Sequence, residues 1–328
     1  MKITTYFNAL CAFMLLATTT AVSAKTTLKV GYLPILDHLT LLVSHVQDNK
    51  NFQQVDIKPK LFKSWGAMTG ALKAEVIDAA FILSPLAMDT FNKGSNIRAI
   101  LLAHRDGSAI TIKKGANIHS AADLKGKKVA IPYRISTHTA LLNQYLSNDG
   151  LSLKDIKTRI IAPPDMIKAM HIGVIDAFIV AEPFGTKAQN QGLGEIMKLT
   201  KDIVPNHVEC IVVVREEVLQ QSPAAVEEWV ASLIRAGQFI DQDKLENGSK
   251  AVAQMTAKKY WPYNKKDIIS GLQNPSDRIS FSDLKPDKAD FQTIVDISID
   301  SNILDKVDLN RFIEPRFYQK AVTAESAN

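Results

Sequence analysis

The chain has 328 residues, 46% of them hydrophobic and 22% charged, and a net charge of +5. That balance belongs to a soluble globular protein with more core than one ordinary domain requires, and it excludes a disordered or fibrous chain. The mild basic excess is spread without long runs, so it leaves no footprint for nucleic acid or for a membrane surface.

In chain order, Met1-Lys2 is followed by an apolar stretch over 9–17, a Thr-rich segment and Val22-Ser23-Ala24, with small residues where a signal peptidase cuts. Residues 1–24 are therefore expected to be a secretory signal peptide removed after Ala24, and the apolar stretch is too short to span a bilayer. Cys11 leaves with it. The remaining thiol, Cys210, precedes Ile211-Val212-Val213-Val214 and reads as a packed core residue that cannot form an internal disulfide.

A strand is expected over 28–31, then a loop with Pro34, then a helix starting near Asp37 or His38 that carries Leu41, Leu42 and Val46 on one side. The next strand, over 56–62, contains Pro59, which argues for an edge or an irregular start. Lys63-Ser64-Trp65-Gly66 leads into a second helix, and an apolar strand over 79–83 ends at Ser84-Pro85. A strand over 96–104 leaves this first lobe. The second lobe takes over near Ala109, with a strand over 128–131, the loop Pro132 to Thr137, and a helix with Leu141, Leu142, Tyr145 and Leu146 on one face, stopped by Gly150. A strand over 208–214 is expected to cross back. Ser222-Pro223 starts a long helix with Ala225, Val226, Trp229, Val230, Leu233 and Ile234 at helical spacing. Later helices, around 251–260 and 287–301, are expected to pack on the first lobe.

One repeat organises all of this. The eighteen residues from Met68 to Pro85 and the eighteen from Met166 to Pro183, 98 positions apart, share seven identical ungapped pairs, and each reads as helix, turn, buried strand and loop. Lys29-Val30-Gly31 with His38 is answered upstream of the second copy by Lys128-Val129-Ala130 with His138. A duplicated α/β unit implies two similar lobes and a cleft between them. The expected layout is 25–104 in the first lobe, 105–204 in the second, and 205–328 returning to the first with C-terminal helices.

The run Ala162-Pro163-Pro164-Asp165-Met166, followed by Gly173-Val174-Ile175-Asp176-Ala177-Phe178 and Ala181-Glu182-Pro183-Phe184, resembles the pattern of the periplasmic solute-binding proteins of nitrate, bicarbonate, sulfonate and taurine ABC importers. Gly31-Tyr32-Leu33-Pro34 and the segment His104 to Ala109 are similar to the nitrate and bicarbonate branch of that family. The resemblance implies an α/β, two-lobed periplasmic-binding-protein fold of type II, with two crossing hinge strands and a ligand cleft. It implies a periplasmic, monomeric protein that captures a small, anionic solute and delivers it to an ABC permease in the cytoplasmic membrane. No enzymatic activity, cofactor, bound metal or nucleic-acid partner is expected. Phe184 stands where that branch carries Trp and Ala181 where it carries Gly, so nitrate itself is not implied. Two other readings stay open: a thiamine-pyrimidine-type binding protein or an enzyme of the same fold, since relatives act in pyrimidine and quinone biosynthesis, and a ligand sensor docking on a membrane receptor.

Ligands of open α/β sheets bind beyond the carboxyl ends of the strands. That rule selects Asp37, His38, Trp65, Gly66, Ser84, Pro85, Arg134, Ser136, Thr137, His138, Glu182 and Pro183. His38 and His138 open matched helices, so lobe closure would set them on opposite walls of one pocket. Ser136, Thr137 and Asp37 serve equally as helix caps or ligand contacts, and Trp65 as pocket wall or packing. Arg134 and Arg105 are the guanidiniums suited to a carboxylate or sulfonate, with a hinge ion pair the alternative for Arg105. Glu182 could hold a cation, accept a hydrogen bond or bridge the lobes. A metal site from Asp37, His38, His138 and Glu182 lacks the ligand spacing that would support it.

Overall fold

The computed structural model describes residues 24–326, so the signal segment expected over 1–24 lies, apart from its last residue, outside the described residues. The chain opens with β1 (Thr26–Tyr32), α1 (Leu39–Gln47), β2 (Val55–Leu61), α2 (Trp65–Lys73), β3 (Ala79–Leu83), α3 (Ser84–Asn92) and β4 (Ile97–Leu102). A short β5 (Arg105–Asp106) leads into β6 (Ser108–Lys113), β7 (Lys128–Ile131), α4 (Thr137–Ser147), β8 (Lys157–Ile160), α5 (Met166–His171), β9 (Ala177–Ala181), α6 (Phe184–Asn190) and β10 (Gly194–Leu199). The return strand is β11 (Cys210–Arg215), followed by α7 (Glu216–Gln221), α8 (Pro223–Glu246), α9 (Lys250–Thr256), α10 (Lys265–Gln273), β12 (Ile279–Ser280), α11 (Lys288–Asp300), α12 (Leu309–Phe312) and α13 (Arg316–Ser326).

Two five-stranded sheets result, ordered β2-β1-β3-β11-β4 and, read in the matching direction, β8-β7-β9-β6-β10. In each, the first three strands are parallel and the next runs antiparallel to them. The sequence repeat is therefore a repeat of topology, and β6 and β11 are the equivalent strands that enter each sheet from the hinge. Conserving the echo has a physical cause at one residue: Asp78 Oδ2 accepts from the Lys29 amide at 2.8 Å, and Asp176 Oδ2 accepts from the Lys128 amide at 2.8 Å. Each Asp clamps the turn before its strand to the neighbouring strand.

β3 and β9 are buried at all five positions, which is why their sequences are continuous apolar runs without alternation. β2 lies at the sheet edge, where the missing N–H of Pro59 is tolerated. α8 approaches the following chain so closely that a Cβ at Gly237 would overlap the backbone carbonyl of Phe281. Among the described residues no helix is long and apolar enough to cross a membrane.

Of the C-terminal helices expected on the first lobe, α9 packs there, on α1 and α8, and α11 only in part. α11 packs on α3 of the first lobe and also on α4 of the second, and α10 packs on α6 of the second. Ile297 of α11 packs against both apolar clusters of the molecule. At the hinge, β12 pairs antiparallel with β5, Ile279 opposite Asp106 and Ser280 opposite Arg105. The tail thus straddles the cleft, because an amphipathic helix buries its apolar face against whichever surface is uncovered.

Candidate functional site

The repeated loop ends meet. Ser84, after β3, and Thr137, at the start of α4, bring their hydroxyls to 3.5 Å, and the Leu36 amide donates to the carbonyl of Glu182 at 2.8 Å. Each pair joins one lobe to the other. Asp37, His38, Trp65, Ser84, Pro85, Ser136, Thr137, His138, Glu182 and Pro183 are all buried. Gly66 stays exposed at the rim, where the atom nearest a Cβ would be Cε2 of Tyr133 in the opposite lobe, at 3.8 Å.

The two matched histidines take different partners. His38 Nδ1 accepts from the Leu33 amide at 2.9 Å, so its proton sits on Nε2, a buried atom without a partner. Its ring lies edge-on to Trp65 and Phe81, and burial together with the charge of His104 holds its pKa well below the ordinary value. His138 instead reaches the hinge, with Nε2 at 2.9 Å from both Ser108 Oγ and Glu209 Oε1. Glu209 links the two rings only indirectly: it receives His138, and its charge is felt by His38. Burial acts to raise the Glu209 pKa, yet His138 and His207 outweigh it and hold the carboxyl well below its usual range. Ser136 is the N-cap of α4, accepting from the Thr139 amide at 3.1 Å, and Thr137 donates to the Glu209 carbonyl at 3.3 Å.

Both expected guanidiniums are elsewhere. Arg134 is exposed and lines a surface depression of about 420 Å³ with Asn143 and Asp300. Arg105 is a hinge residue, bonded to Asp283 at 2.9 Å and Asp290 at 2.6 Å. Glu182 has both carboxylate oxygens committed: Oε1 pairs with Arg278 of the C-terminal segment at 2.5 Å and Oε2 accepts from the Thr186 amide at 3.0 Å, so it joins no set with Asp37, His38 and His138. Among the described residues the buried Lys and Arg side chains are Arg105, Lys244 and Arg278, and each is paired with a carboxylate. A buried anion would find no free Lys or Arg among them.

The profile described as the NMT1-like family matches residues 21–257. The chain belongs to the NMT1-like family. The nitrate/nitrite binding protein NrtA of Nostoc sp. is 26% identical over 263 residues, covering 74% of this chain and 59% of that protein. This chain thus spans under two thirds of that relative. Among solved structures, the ligand-binding component of an ABC-type import system from Staphylococcus aureus, with zinc bound, matches at TM-score 0.81 and 25% identity over 90% of this chain and 99% of that one. The periplasmic nitrate-binding protein NrtA from Synechocystis matches at TM-score 0.83 and 19% identity, over 93% of this chain and 90% of that one. The fold is that of periplasmic binding proteins, an α/β chain built on two five-stranded sheets.

In this NMT1-like chain the residues that sequence reasoning missed sit on the crossing segments. His104 Nε2 lies 3.2 Å from Asp37 Oδ2, and the Cys210 thiol lies 3.9 Å from that same oxygen. His207 binds Asp106 at 2.8 Å and Glu209 at 3.3 Å. Burial pushes the Asp37 carboxyl up to about 6 against the pull of His104. It acts to lower His104, where the Asp37 charge prevails and leaves the imidazole above its ordinary value. Burial, with the Asp37 and Glu209 charges adding to it, pushes the Cys210 thiol well up. The signal was present as His207-Val208-Glu209-Cys210, three ligand-type side chains in four positions just before a buried strand.

Proposed function

We propose that this protein is an exported, non-catalytic solute-binding protein that captures one small solute between its lobes and delivers it to an ABC permease from the periplasm. The observation that carries this reading is the meeting of equivalent loop ends from the two repeats, Ser84 with Thr137 and Leu36 with Glu182, inside a buried polar seam. Contacts that exist only when the lobes are closed shift the open and closed populations when a solute supplies more of them, and a permease can recognise the closed form. The names of the relatives support it: they are binding proteins for nitrate or nitrite and a ligand-binding component of an importer. Against an enzyme stands Cys210, whose thiol is buried and pushed well above its ordinary pKa, the opposite of an activated nucleophile.

The test is a panel of nitrate, bicarbonate, alkanesulfonates, thiamine-type pyrimidines and divalent metal ions, followed by Trp65 fluorescence and small-angle scattering. One solute should bind stoichiometrically, shrink the radius of gyration and be recovered unchanged. Steady turnover of any of them, or binding with no change in shape, would count against this reading.

A further inference from the structure

We propose that Asp37, His104 and Cys210 form a site for a first-row divalent transition-metal ion, and that this ion is the solute; the second half rests on the solute-binding reading above. Their donor atoms all lie within 4.8 Å of one another and all three residues are buried. Around a tetrahedral ion with metal–nitrogen and metal–oxygen bonds near 2.1 Å and a metal–sulfur bond near 2.3 Å, neighbouring donors stand about 3.3–3.6 Å apart. His104 Nε2 and Cys210 Sγ stand 3.2 Å and 3.9 Å from Asp37 Oδ2, within a few tenths of an ångström of those separations, and no pair of donors is more than 4.8 Å apart.

The site is also unfinished as a hydrogen-bond network. Asp37 Oδ1 and His104 Nδ1 are buried without a partner. His104 Nε2 stands between a donor, the Cys210 amide at 3.3 Å, and an acceptor, Asp37 Oδ2, and can serve only one at a time. A buried carboxylate oxygen left unpaired is costly, and a cation supplies what is missing. Among the described residues every buried Lys and Arg is paired with another carboxylate, which leaves His104 as the one internal cation beside Asp37, and its contact is to Oδ2, not to the unpartnered Oδ1. One sulfur, one imidazole nitrogen and one carboxylate oxygen suit zinc, cobalt, nickel or copper, and suit magnesium or calcium poorly. Three protein donors leave a coordination position open, as expected for an ion that must be released.

The location ties binding to closure. Asp37 follows β1, His104 lies between β4 and β5, and Cys210 begins β11, so two donors sit on the crossing segments. Glu209, adjacent to Cys210, is gripped by His138 of the second lobe.

The test uses tag-free protein stripped with a chelator and titrated with Co²⁺, then competed with Zn²⁺. One equivalent of Co²⁺ should bind with a thiolate-to-metal charge-transfer band, and scattering should show the lobes closing. Cys210→Ser should abolish the band, and Asp37→Asn and His104→Gln should each weaken Zn²⁺ binding by at least about tenfold. His119→Ala, at an exposed histidine, should change neither. If Cys210→Ser does not fold, X-ray absorption on the zinc-loaded unmutated protein must still show one sulfur neighbour. Absence of stoichiometric binding, or a shell without sulfur, overturns the site. Closure by an oxyanion with no metal present overturns the ion as solute while keeping the binding-protein reading. A tightly held ion that leaves the lobes open overturns the ion as solute and keeps the site.

Discussion

His207 shows burial and charge in direct opposition at one ring. Burial acts to lower its pKa, but hydrogen bonds and charge from Asp106 and Glu209 outweigh it and raise the value to about 9. The geometry agrees, since both ring nitrogens face only acceptors: Val204 O and Asp106 at Nδ1, Glu209 at Nε2. A folded value above the unfolded one, about 6.5, means the stabilisation is complete below that pH and is lost as pH rises towards 9. Urea unfolding midpoints should therefore fall between pH 6.5 and 9, by a loss on the order of 3 kcal/mol, and His207→Gln should flatten that slope. Glu182 and Arg278 make a second test. Both side chains are fully buried, and Glu182→Gln leaves the guanidinium without its counter-charge, which should cost about 3–5 kcal/mol in the same assay. Adding Arg278→Met should restore part of it. Asp37 and His38 were visible in the sequence as loop residues beside a strand end. The partners of Asp37 were not, because His104 and Cys210 lie 67 and 173 positions from it.

Elements were the most legible level. The apolar runs of β3, β9 and β11 and the helical spacing of α8 are local properties of the chain, and each formed where its pattern ran. The contacts of α10 and α11 were not legible: periodicity tells which face of a helix is apolar and says nothing of what covers it. α8 shows the same limit at Gly237, which reads as a weak spot in a helix until Phe281 is packed against it. Gly237→Ala should destabilise the protein by about 1–3 kcal/mol through overpacking, in contrast to the gain alanine brings at an open helix position. Thermal unfolding of that variant against an alanine change at exposed Gly70, where a Cβ meets nothing within 4 Å, separates the two effects.

At the scale of the molecule, the closed seam joins two halves whose sheets share one strand order. Thr137 contributes to it twice, towards Ser84 and towards the Glu209 carbonyl. Thr137→Val keeps the shape and removes both bonds, so the free protein should shift towards the open form and hold its solute more weakly by about 1–3 kcal/mol; scattering of the free protein and calorimetry of binding measure the two parts. By itself the sequence determined the two-lobed α/β plan, because a duplicated pattern of helix, turn and strand writes the same local structure twice and two such units face each other. Only the tertiary structure decided what the seam contains. Burial, ion pairing and metal-ligand spacing are properties of distance in space, and here they bring together residues that the chain keeps far apart, while sending Arg134 to the surface and Arg105 to a hinge pair.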